Sequence, residues 1–385
     1  ESTAPGIGCC LLCNPVCRLP LPPTKRNSLM IKRQTFISTK VLYSLDIPKI
    51  DYTTDYEKVC VSLYRNSGNY DNLYSGELLP YNGKVSIYDM KQLIEQFMLD
   101  KGLSYCEFGL DVENEGGEEV DITILKVLYC RVRPTTYVEH FVKYNFLSTV
   151  KVKEVDYDRA FEDELLYYAE KGEDVSLTLT YVYSTAEGEL KTKEVVYTET
   201  AGVAGIDSIY FDFYEVWLDV GGEDGAILHC VQCKVGERCF TYYIRTEAPD
   251  LVCSFYNAFN IREVLALYGK TSTKMKTQKS EAVCGGITAY YDVSNEVLYE
   301  FESVRLSPEM MKLVMDFLTS PEIILNWSNS ARILITDYTY EYADDDKEKY
   351  IVKFTWKYAD NRMTFERPYE VNSRTFTKQF DKTFK

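Results

Sequence analysis

The sequence predicts a mainly β protein, built of tandem antiparallel β-sandwich-like modules with a few short helices. Apolar and polar residues alternate over many short runs, which is the pattern of a half-buried strand. Turn residues such as Gly, Asn and Asp separate these runs at the short spacing that is typical of sandwiches. The chain also contains 33 Tyr, a residue that favours strands and suits interfaces between β layers or subunits.

The length of the chain predicts more than one module. At 385 residues it exceeds the size at which a single hydrophobic core usually stops growing. Composition and turn positions place an N-terminal arm at residues 1–34 and three β modules at residues 35–144, 145–252 and 253–385. We expect one helix in the first module, and a capped helix followed by a terminal hairpin in the third.

The N-terminal arm is rich in proline and then in basic residues. Proline interrupts a helix and cannot donate a hydrogen bond to a sheet, so this segment cannot build a core alone. One interpretation is a flexible leader. The other starts from the apolar residues of the arm, which are costly to leave in water, and predicts an arm that becomes ordered against a neighbouring subunit. The prolines are Pro5, Pro15, Pro20, Pro22 and Pro23, and the apolar residues are Cys9, Cys10, Leu11, Leu12, Val16, Leu19 and Leu21.

In the first module, alternation predicts strands over Phe36–Leu45, Lys58–Tyr64 and Ile122–Val132. Apolar residues at helical spacing predict a helix that ends near Gly102. These apolar residues are Ile87, Met90, Leu93, Ile94, Phe97 and Met98. The acidic segment Glu113–Glu119 lacks the ligand spacing of a calcium loop, so we expect a solvated hairpin tip there.

In the second module, a helical stretch is predicted near Asp158–Ala169, with Gly172 after it as a candidate cap. Alternation and intervening Gly-containing turns then predict a series of strands, which suggests a second sandwich. The predicted strands are Val175–Tyr183, Lys193–Thr198, Tyr210–Val220, Ala226–Lys234 and Arg238–Arg245.

The third module contains a helix with a complete start signal. Ser307 is the predicted N-cap, Pro308 takes the first helical position, and Glu309 complements the helix dipole. Before this helix, a strand is predicted over Ile261–Tyr268. A basic connector follows that strand and carries Lys274, Lys276 and Lys279.

The clearest predicted element is a terminal β-hairpin. Ile333–Tyr342 and Tyr350–Tyr358 both alternate, and they flank the acidic turn Ala343–Lys347. Antiparallel pairing of the two runs buries one face of each, and we expect Trp356 to be buried there.

The charges of the hairpin predict its register. We expect Asp337 to lie near Lys353 and Glu341 near Lys349 on the polar face. Opposite charges across an antiparallel pair contribute roughly 0.2–1 kcal/mol and help to fix the register.

No residue constellation in the sequence specifies a reaction. A lone histidine in a strand, such as His229, is more often packed than catalytic, and His140 lies in a linker-like stretch. No Ser or Cys has a nucleophile-elbow or papain-like context, and no glycine-rich phosphate loop follows a predicted strand. We therefore predict no catalytic, cofactor-binding or metal-binding residue, and a protein that is not an enzyme.

The 12 Cys could be zinc ligands, disulfides or buried thiols. Cys10 and Cys13 lie far along the chain from Cys230 and Cys233, whereas a four-cysteine zinc site needs two close pairs. The N-terminal cysteines stand in an apolar string, and Cys behaves as a small hydrophobic residue. We predict free thiols of a reduced, cytosolic origin, with no zinc and no disulfide framework.

Several segments form a recognisable series along the chain: Ser254–Asn260, Leu306–Glu309, Thr319-Ser320, Ile333–Asp337, Val352–Arg362 and, near the start, Cys13–Val16. These segments resemble a family of structural proteins encoded among the tail genes of phages and prophages of Bacteroides-type gut bacteria. The resemblance is best from Ser254 onward, and its motifs mark packing rather than chemistry, so no catalytic residue is carried over. It implies a virion component of the tail, tail tip or baseplate, built of β-sandwich modules. The cysteines around Asn14 depart from the family pattern.

Three hypotheses for function follow. The first is a non-enzymatic structural subunit of a bacteriophage virion, assembled in the bacterial host cytoplasm. Its expected partners are other virion proteins, further copies of itself in a homo-oligomer, and a host-surface receptor. The second is a surface module that binds glycan or protein through Tyr and Trp. The third is a hydrolase, for which the 59 Asp and Glu single out no carboxylate pair.

Charge and hydropathy argue against two kinds of partner, nucleic acid and the membrane interior. The net charge of −16 argues against nucleic acid, whose phosphates require Lys and Arg. No apolar run approaches the ~20 residues of a membrane span, so we expect none. No cofactor is expected.

Overall fold

The computed structural model describes residues 30–360, except 39, 67–70, 157–161, 171, 201–203, 213–225, 326–330 and 344–345. Nearly all of the predicted arm and the C-terminal tail lie outside the described residues. Within them the chain is mainly β, with several antiparallel sheets and a few short helices, which confirms the predicted fold class. No helix in this part of the chain is long and apolar enough to cross a membrane.

The first part of the chain forms two sheets and a helix. Its elements are β1 (Ile31–Arg33), β2 (Leu42–Tyr43), β3 (Ile50–Thr54), β4 (Val59–Arg65), β5 (Asn72–Leu78), β6 (Lys84–Ile87), α1 (Met90–Asp100), β7 (Tyr105–Glu113) and β8 (Glu119–Leu128). The sheets have the orders β1-β3-β6 and β2-β8-β7-β4-β5. Helix α1 forms where predicted and buries Met90, Ile94 and Met98 in the same cluster as the sheet residues. The predicted strand Phe36–Leu45 is wrong except for the short β2.

The second part also forms two sheets. Its elements are α2 (Val138–Tyr144), β9 (Val152–Asp156), β10 (Glu162–Ala169), β11 (Asp174–Ser184), β12 (Leu190–Thr200), β13 (Gly205–Asp212), β14 (Ile227–Val235) and β15 (Arg238–Arg245). A five-stranded sheet has the order β12-β11-β14-β15-β9, and β10 pairs with β13.

The strand β10 corrects a prediction, because a helix was expected near Asp158–Ala169. The part of that stretch that is described, from Glu162 on, pairs with β13 over its whole length. Its apolar residues are buried on both faces of the strand, including the neighbours Tyr167 and Tyr168. A continuous apolar run of this kind fits a strand covered on both sides as well as a helix, and periodicity alone does not separate them.

The third part is organised by one seven-stranded sheet and a helix. Its elements are β16 (Leu251–Tyr256), β17 (Arg262–Leu267), β18 (Gly269–Cys284), β19 (Ile287–Ser303), α3 (Pro308–Leu318), β20 (Ile323–Leu325), β21 (Ala331–Ala343) and β22 (Asp346–Tyr358). The strand order is β17-β16-β20-β21-β22-β19-β18. The predicted basic connector is wrong, since its lysines lie in the long strand β18, which pairs with β19 along its whole length.

Helix α3 packs on this sheet as its sequence predicts. The hydroxyl of Ser307 accepts a hydrogen bond from the backbone N–H of Met310 at 3.2 Å, which confirms the predicted N-cap. Phe317 meets Phe255 and Phe354 edge-on, each at 5.7 Å between ring centroids. These contacts fix the helix across the sheet from β16 to β22.

The terminal hairpin is confirmed, with β21 antiparallel to β22 and Trp356 only 3% exposed. Its register differs from the prediction by two residues. Asp337 lies opposite Thr355, and Lys353 lies opposite Thr339 and forms an ion pair with Glu341 at 3.5 Å. A shift of two residues leaves Asp337, Glu341 and Lys353 on the predicted polar face, so this face was predicted correctly and the partners were not.

A β-bulge sets this register. Ile335 lies opposite Trp356, Asp337 lies opposite Thr355, and Thr336 is the extra residue between them. Without the bulge, strict alternation would place Asp337 on the apolar face with Ile335. The bulge turns Asp337 to the polar face and brings the following tyrosines to the apolar one.

Candidate interaction surface

The segment Asn257–Asn260 lies where the three parts of the chain meet, and all of its residues are buried. Asn260 has a φ of 59°, in the left-handed region that Asn tolerates better than most residues. Its side-chain amide donates to the carbonyls of Met98 at 3.1 Å and Leu103 at 3.2 Å, at the C-terminal end of α1. The third part of the chain thereby supplies a donor to the C-terminal end of this helix, where the Met98 carbonyl also accepts from the backbone N–H of Leu103 at 2.8 Å.

A partly buried ion pair also joins the first and third parts. Arg131, which follows β8, donates to the carboxylate of Asp316 on α3 at 2.6 Å. The backbone N–H of Ala258 donates to the other oxygen of that carboxylate at 3.0 Å. Burial raises the pKa of Asp316 above its ordinary value, and both the N–H donor and Arg131 oppose that shift.

The second and third parts are joined by a buried cluster of charges. The ammonium group of Lys153 on β9 lies 2.8 Å from the Asp163 carboxylate and 3.4 Å from the Glu263 carboxylate. The hydroxyl of Tyr242 donates to Asp163 at 3.0 Å, and the Asn257 amide donates to Glu263 at 2.5 Å. Lys153, Asp163, Tyr242 and Glu263 are all buried, so no solute reaches this lysine and these carboxylates, and the cluster is a structural joint.

The cluster contains one ammonium and two carboxylates. Burial raises the pKa of Glu263, and the nearby Lys153 only partly opposes this. Burial alone would lower the pKa of Lys153, but Asp163 and Glu263 together raise it. Lys153 therefore stays charged, and Glu263 is the carboxyl that binds a proton more readily than usual.

Two hairpins leave opposite ends of the seven-stranded sheet. Among the described residues, β19 pairs with β22 only over Tyr299–Glu302, so the remainder of β18 and β19 continues as a two-stranded ribbon. At ~3.3 Å per residue, the ribbon beyond Tyr299 is roughly 40 Å long. Because β22 runs antiparallel to β19, the turn of the β21–β22 hairpin lies at the other end of the sheet. Each copy of the chain thus extends two different elements in opposite directions.

The ribbon exposes apolar side chains along its length, at Met275, Val283 and Ile287. A two-stranded ribbon is marginally stable alone in water, and exposed apolar residues on it favour a partner. The outer edge of β18 has no paired strand among the described residues, and it carries Lys274 and Lys276. Lysines on an edge strand oppose pairing with an identical edge, because like charges would then face each other.

The β21–β22 hairpin carries the second exposed set, which we call the tyrosine face. It consists of Tyr338, Tyr340, Tyr342 and Tyr350. Tyr338 and Tyr340 lie directly opposite Phe354 and Val352, so all four share the apolar side of the sheet. Phe354 is covered by α3, whereas Tyr340 and Tyr342 remain more than half exposed. The apolar side of the sheet therefore continues beyond the helix that covers it.

The tyrosines of this face contact one another. The rings of Tyr342 and Tyr350 lie 4.9 Å apart at an angle of 35°. A side-chain hydrogen bond between Tyr350 and Tyr342 raises the pKa of Tyr350 above its ordinary value, so this hydroxyl stays protonated near neutral pH. A row of such rings offers flat apolar surface with hydroxyls that can donate to a partner.

The opposite, polar side of the sheet holds charges that pair among themselves. Lys353 lies 3.7 Å from Glu302 and 3.5 Å from Glu341. Lys274 lies 2.5 Å from Glu300 in the same region. A shallow depression of about 400 Å³ runs between these strands, but its charged side chains are largely exposed. Exposed pairs of this kind are worth little and mark a solvated face.

The residues weighed as catalytic or metal-binding in the sequence are not brought together. His229 shares a hydrogen bond of 2.9 Å with Ser184, and His140 lies in α2 with its ring 4.6 Å from the Tyr144 ring. His140 therefore belongs to a helix, which corrects the predicted linker.

Cys230 and Cys233 are three positions apart on β14. Of these two cysteines, Cys233 is buried and Cys230 is half-buried. Residues three apart on a strand point to opposite faces, so these thiols do not converge. Cys10 and Cys13 lie outside the described residues. Within the described ranges, no group of three or more His, Cys, Asp or Glu is placed to hold a metal ion.

The tyrosine row and the hairpin are visible in the sequence, but the buried cluster is not. Lys153, Asp163 and Glu263 stand in ordinary strand-like runs, and nothing local distinguishes them from exposed charges. Only the packing of β9, β10 and β17 brings them together.

The acidic segment before β8 is a tight turn in which the Asn114 side chain accepts from the backbone N–H groups of Gly116 at 2.9 Å and Glu118 at 3.0 Å.

No family model matches this sequence, and no curated protein matches it. Among solved structures, the chain is similar to the crystal structure of calcium binding domain CBD12 of CALX1.1, with 7% identity over 54% of this chain and 96% of that chain, at a TM-score of 0.16. At that TM-score the likeness carries no argument about this chain.

Proposed function

We propose that this chain is a non-enzymatic structural subunit of a bacteriophage virion, in the tail, tail tip or baseplate, and that it acts through contacts between subunits. The observation that carries the proposal is the pair of hairpins at opposite ends of one sheet. The ribbon and the tyrosine face differ in chemistry and point in opposite directions. Each offers a different surface to another subunit, and contacts between unlike surfaces are heterologous and form rings or helical arrays.

The joints between the three parts support the same proposal. Asn260, Asp316 and Lys153 each bind across a boundary between parts, to Met98, Arg131 and Glu263 respectively. Such joints hold the parts at fixed angles, because leaving one buried charge without its partner is costly. A subunit that sets the geometry of an assembly needs this rigidity. The virion assignment itself rests on the resemblance of the segments from Ser254 onward to phage tail-module proteins.

The first experiment measures the mass of the assembly. The full chain is purified, and sedimentation velocity and native mass spectrometry are recorded from 1 to 100 μM. The sample contains only this chain and none of the other virion proteins. We expect a closed oligomer with one dominant stoichiometry. A chain that remains monomeric over this range contradicts self-assembly.

A ribbon variant tests the observation directly. Thr273 and Tyr299 lie opposite each other, so an Asn-Gly turn between them replaces Lys274–Leu298 and closes a short hairpin. Phe301, which is buried in the core, is retained. We expect an unchanged β-rich circular dichroism spectrum and loss of the oligomer. The matched control replaces Asn114–Glu118 by the same turn, which shortens another hairpin tip and should leave the mass unchanged. An oligomer that survives the ribbon variant contradicts the proposed contact.

The second candidate function is a glycan- or protein-binding module on a cell surface. The exposed rings of Tyr340 and Tyr342 favour it, because sugars stack on aromatic faces. This alternative predicts a monomer that binds an oligosaccharide through these rings. A glycan array with the full chain and its Tyr340→Ser variant separates the two functions.

A further inference from the structure

Among the described residues, none covers the tyrosine face, whereas α3 covers the adjoining part of the same side of the sheet. Phe354 and Val352 on the same side are almost completely buried, whereas Tyr340 directly opposite Val352 is 55% exposed. The bulge at Thr336 keeps the tyrosines on this apolar side rather than among the charges of the other side. A fold that places four aromatic rings in line beside its core offers them to a partner.

The chemistry of this face fits a proline-rich segment. Proline-rich chains adopt the polyproline II helix, which has no internal hydrogen bonds and presents its carbonyls outward. Rows of aromatic rings recognise such chains, since the rings pack against the prolines and the hydroxyls donate to the free carbonyls. The segment from Pro15 to Pro23 in this chain has proline at positions 15, 20, 22 and 23, with Val16, Leu19 and Leu21 between them.

Charge complements this match. The first 29 residues contain the basic residues Arg18, Lys25 and Arg26 and one acidic residue, Glu1, whereas the whole chain has a net charge of −16. A basic segment is therefore attracted to the surface of another copy.

We infer that the tyrosine face is the docking site for the proline-rich N-terminal segment, residues 15–26, of a second copy of this chain. The choice of a second copy rests on the proposed function, which requires contacts between subunits. The arm and the face are different surfaces, so each copy gives one arm and receives another. A contact of this kind is heterologous, and it gives a ring where the rotation between copies closes. Binding fixes the segment, and its apolar residues offset the entropic cost.

The test is photo-crosslinking in the full chain. The amino acid p-benzoylphenylalanine replaces Tyr340, and a control chain carries it at Tyr243, which is 51% exposed on β15 in the second part. Equal amounts of ¹⁴N- and ¹⁵N-labelled chains are mixed, allowed to exchange and irradiated, and the cross-linked peptides are identified by mass spectrometry. We expect the Tyr340 probe to capture a peptide from residues 15–26 of the other isotope, and the Tyr243 probe not to do so.

The outcomes separate this inference from the proposed function. Capture of the arm within one chain, or of a different segment, overturns the inference. An oligomer in which neither probe captures the arm overturns it as well, but leaves the structural role intact. A monomer with no capture overturns both.

A second measurement follows self-association by sedimentation. The Tyr340→Ser/Tyr342→Ser chain and the Pro20→Ala/Pro22→Ala/Pro23→Ala chain should each weaken association by roughly 10-fold or more, because central aromatic contacts dominate interfaces. The two sets of changes combined should weaken it no further than either alone. Additive losses would show that face and arm act at separate sites, and unchanged association would overturn the inference.

Discussion

The buried charge cluster between the second and third parts predicts that two matched substitutions change the free energy of unfolding by different amounts. Asp163→Asn and Glu263→Gln each replace a carboxylate by an amide of the same shape. Asp163 receives hydrogen bonds from Lys153 at 2.8 Å and from Tyr242 at 3.0 Å. Glu263 lies farther from the lysine, at 3.4 Å, and its closest donor is the neutral amide of Asn257.

The expected magnitudes follow from these contacts. A hydrogen bond to a charged group contributes about 1.5–3 kcal/mol, and an amide oxygen retains roughly half of it. Asp163→Asn weakens two such bonds and leaves Lys153 with one distant carboxylate, so we expect a loss of about 3 kcal/mol in the free energy of unfolding. Glu263→Gln keeps the acceptor for Asn257 and removes the excess negative charge. We expect its effect at pH 7 to stay within about 1 kcal/mol of wild type.

The pH dependence of stability shows whether the Glu263 carboxylate stabilises or destabilises the fold. Burial raises the folded-state pKa of Glu263, so its contribution to stability is fully present below the unfolded pKa of about 4.3 and is lost as pH rises through the folded value. The glutamine of Glu263→Gln does not titrate. The variant should therefore gain stability relative to wild type as pH rises from about 4.3.

Urea denaturation at pH 4.5 and pH 8, followed by circular dichroism, measures both effects. Glu164→Gln is the control, since Glu164 is the exposed neighbour of Asp163 and should change stability by less than about 0.5 kcal/mol. The assignment of the excess charge to Glu263 is refuted by either of two results. Glu263→Gln could destabilise the protein as much as Asp163→Asn, or its stability relative to wild type could fall as pH rises.

Three further predictions concern the fold and are checked by urea denaturation at pH 7. Asn260→Ala should cost about 2 kcal/mol, because it combines left-handed backbone strain with the loss of the amide donor to Leu103, while the Met98 carbonyl keeps its backbone donor. Asn260→Gly should cost about 1 kcal/mol less, and equal costs would contradict the strain. Ser307→Ala should cost about 1 kcal/mol because it removes the capping hydrogen bond to the Met310 N–H, whereas Ser307→Asp retains an acceptor there. An alanine variant as stable as wild type would show that the cap does not contribute. Deletion of Thr336 removes the extra residue of the bulge and leaves Ile335 and Asp337 on opposite faces, so it should change stability by less than about 1 kcal/mol. A loss of about 2 kcal/mol or more would contradict the assignment of Thr336 as the extra residue.

Local patterns in the sequence determined much of this fold. The alternation of β21 and β22, the periodic apolar residues of α1 and the start signal of α3 each lie within a short stretch, and each element forms where it was predicted. The physical reason is that strand and helix periods, caps and turns are properties of near neighbours along the chain. The mainly β class followed from the same signals.

Tertiary structure decided what depends on distant partners. The stretch that ends at Ala169 is a strand because packing on both faces overrides its local ambiguity. The lysine-rich stretch after Gly269 is a strand because β19 pairs with it. The bulge at Thr336 fixed which residues face each other in the hairpin. The cluster around Lys153 exists only because three strands far apart in sequence meet there, and a charged residue in a strand looks the same in the sequence whether its partner is water or a buried carboxylate.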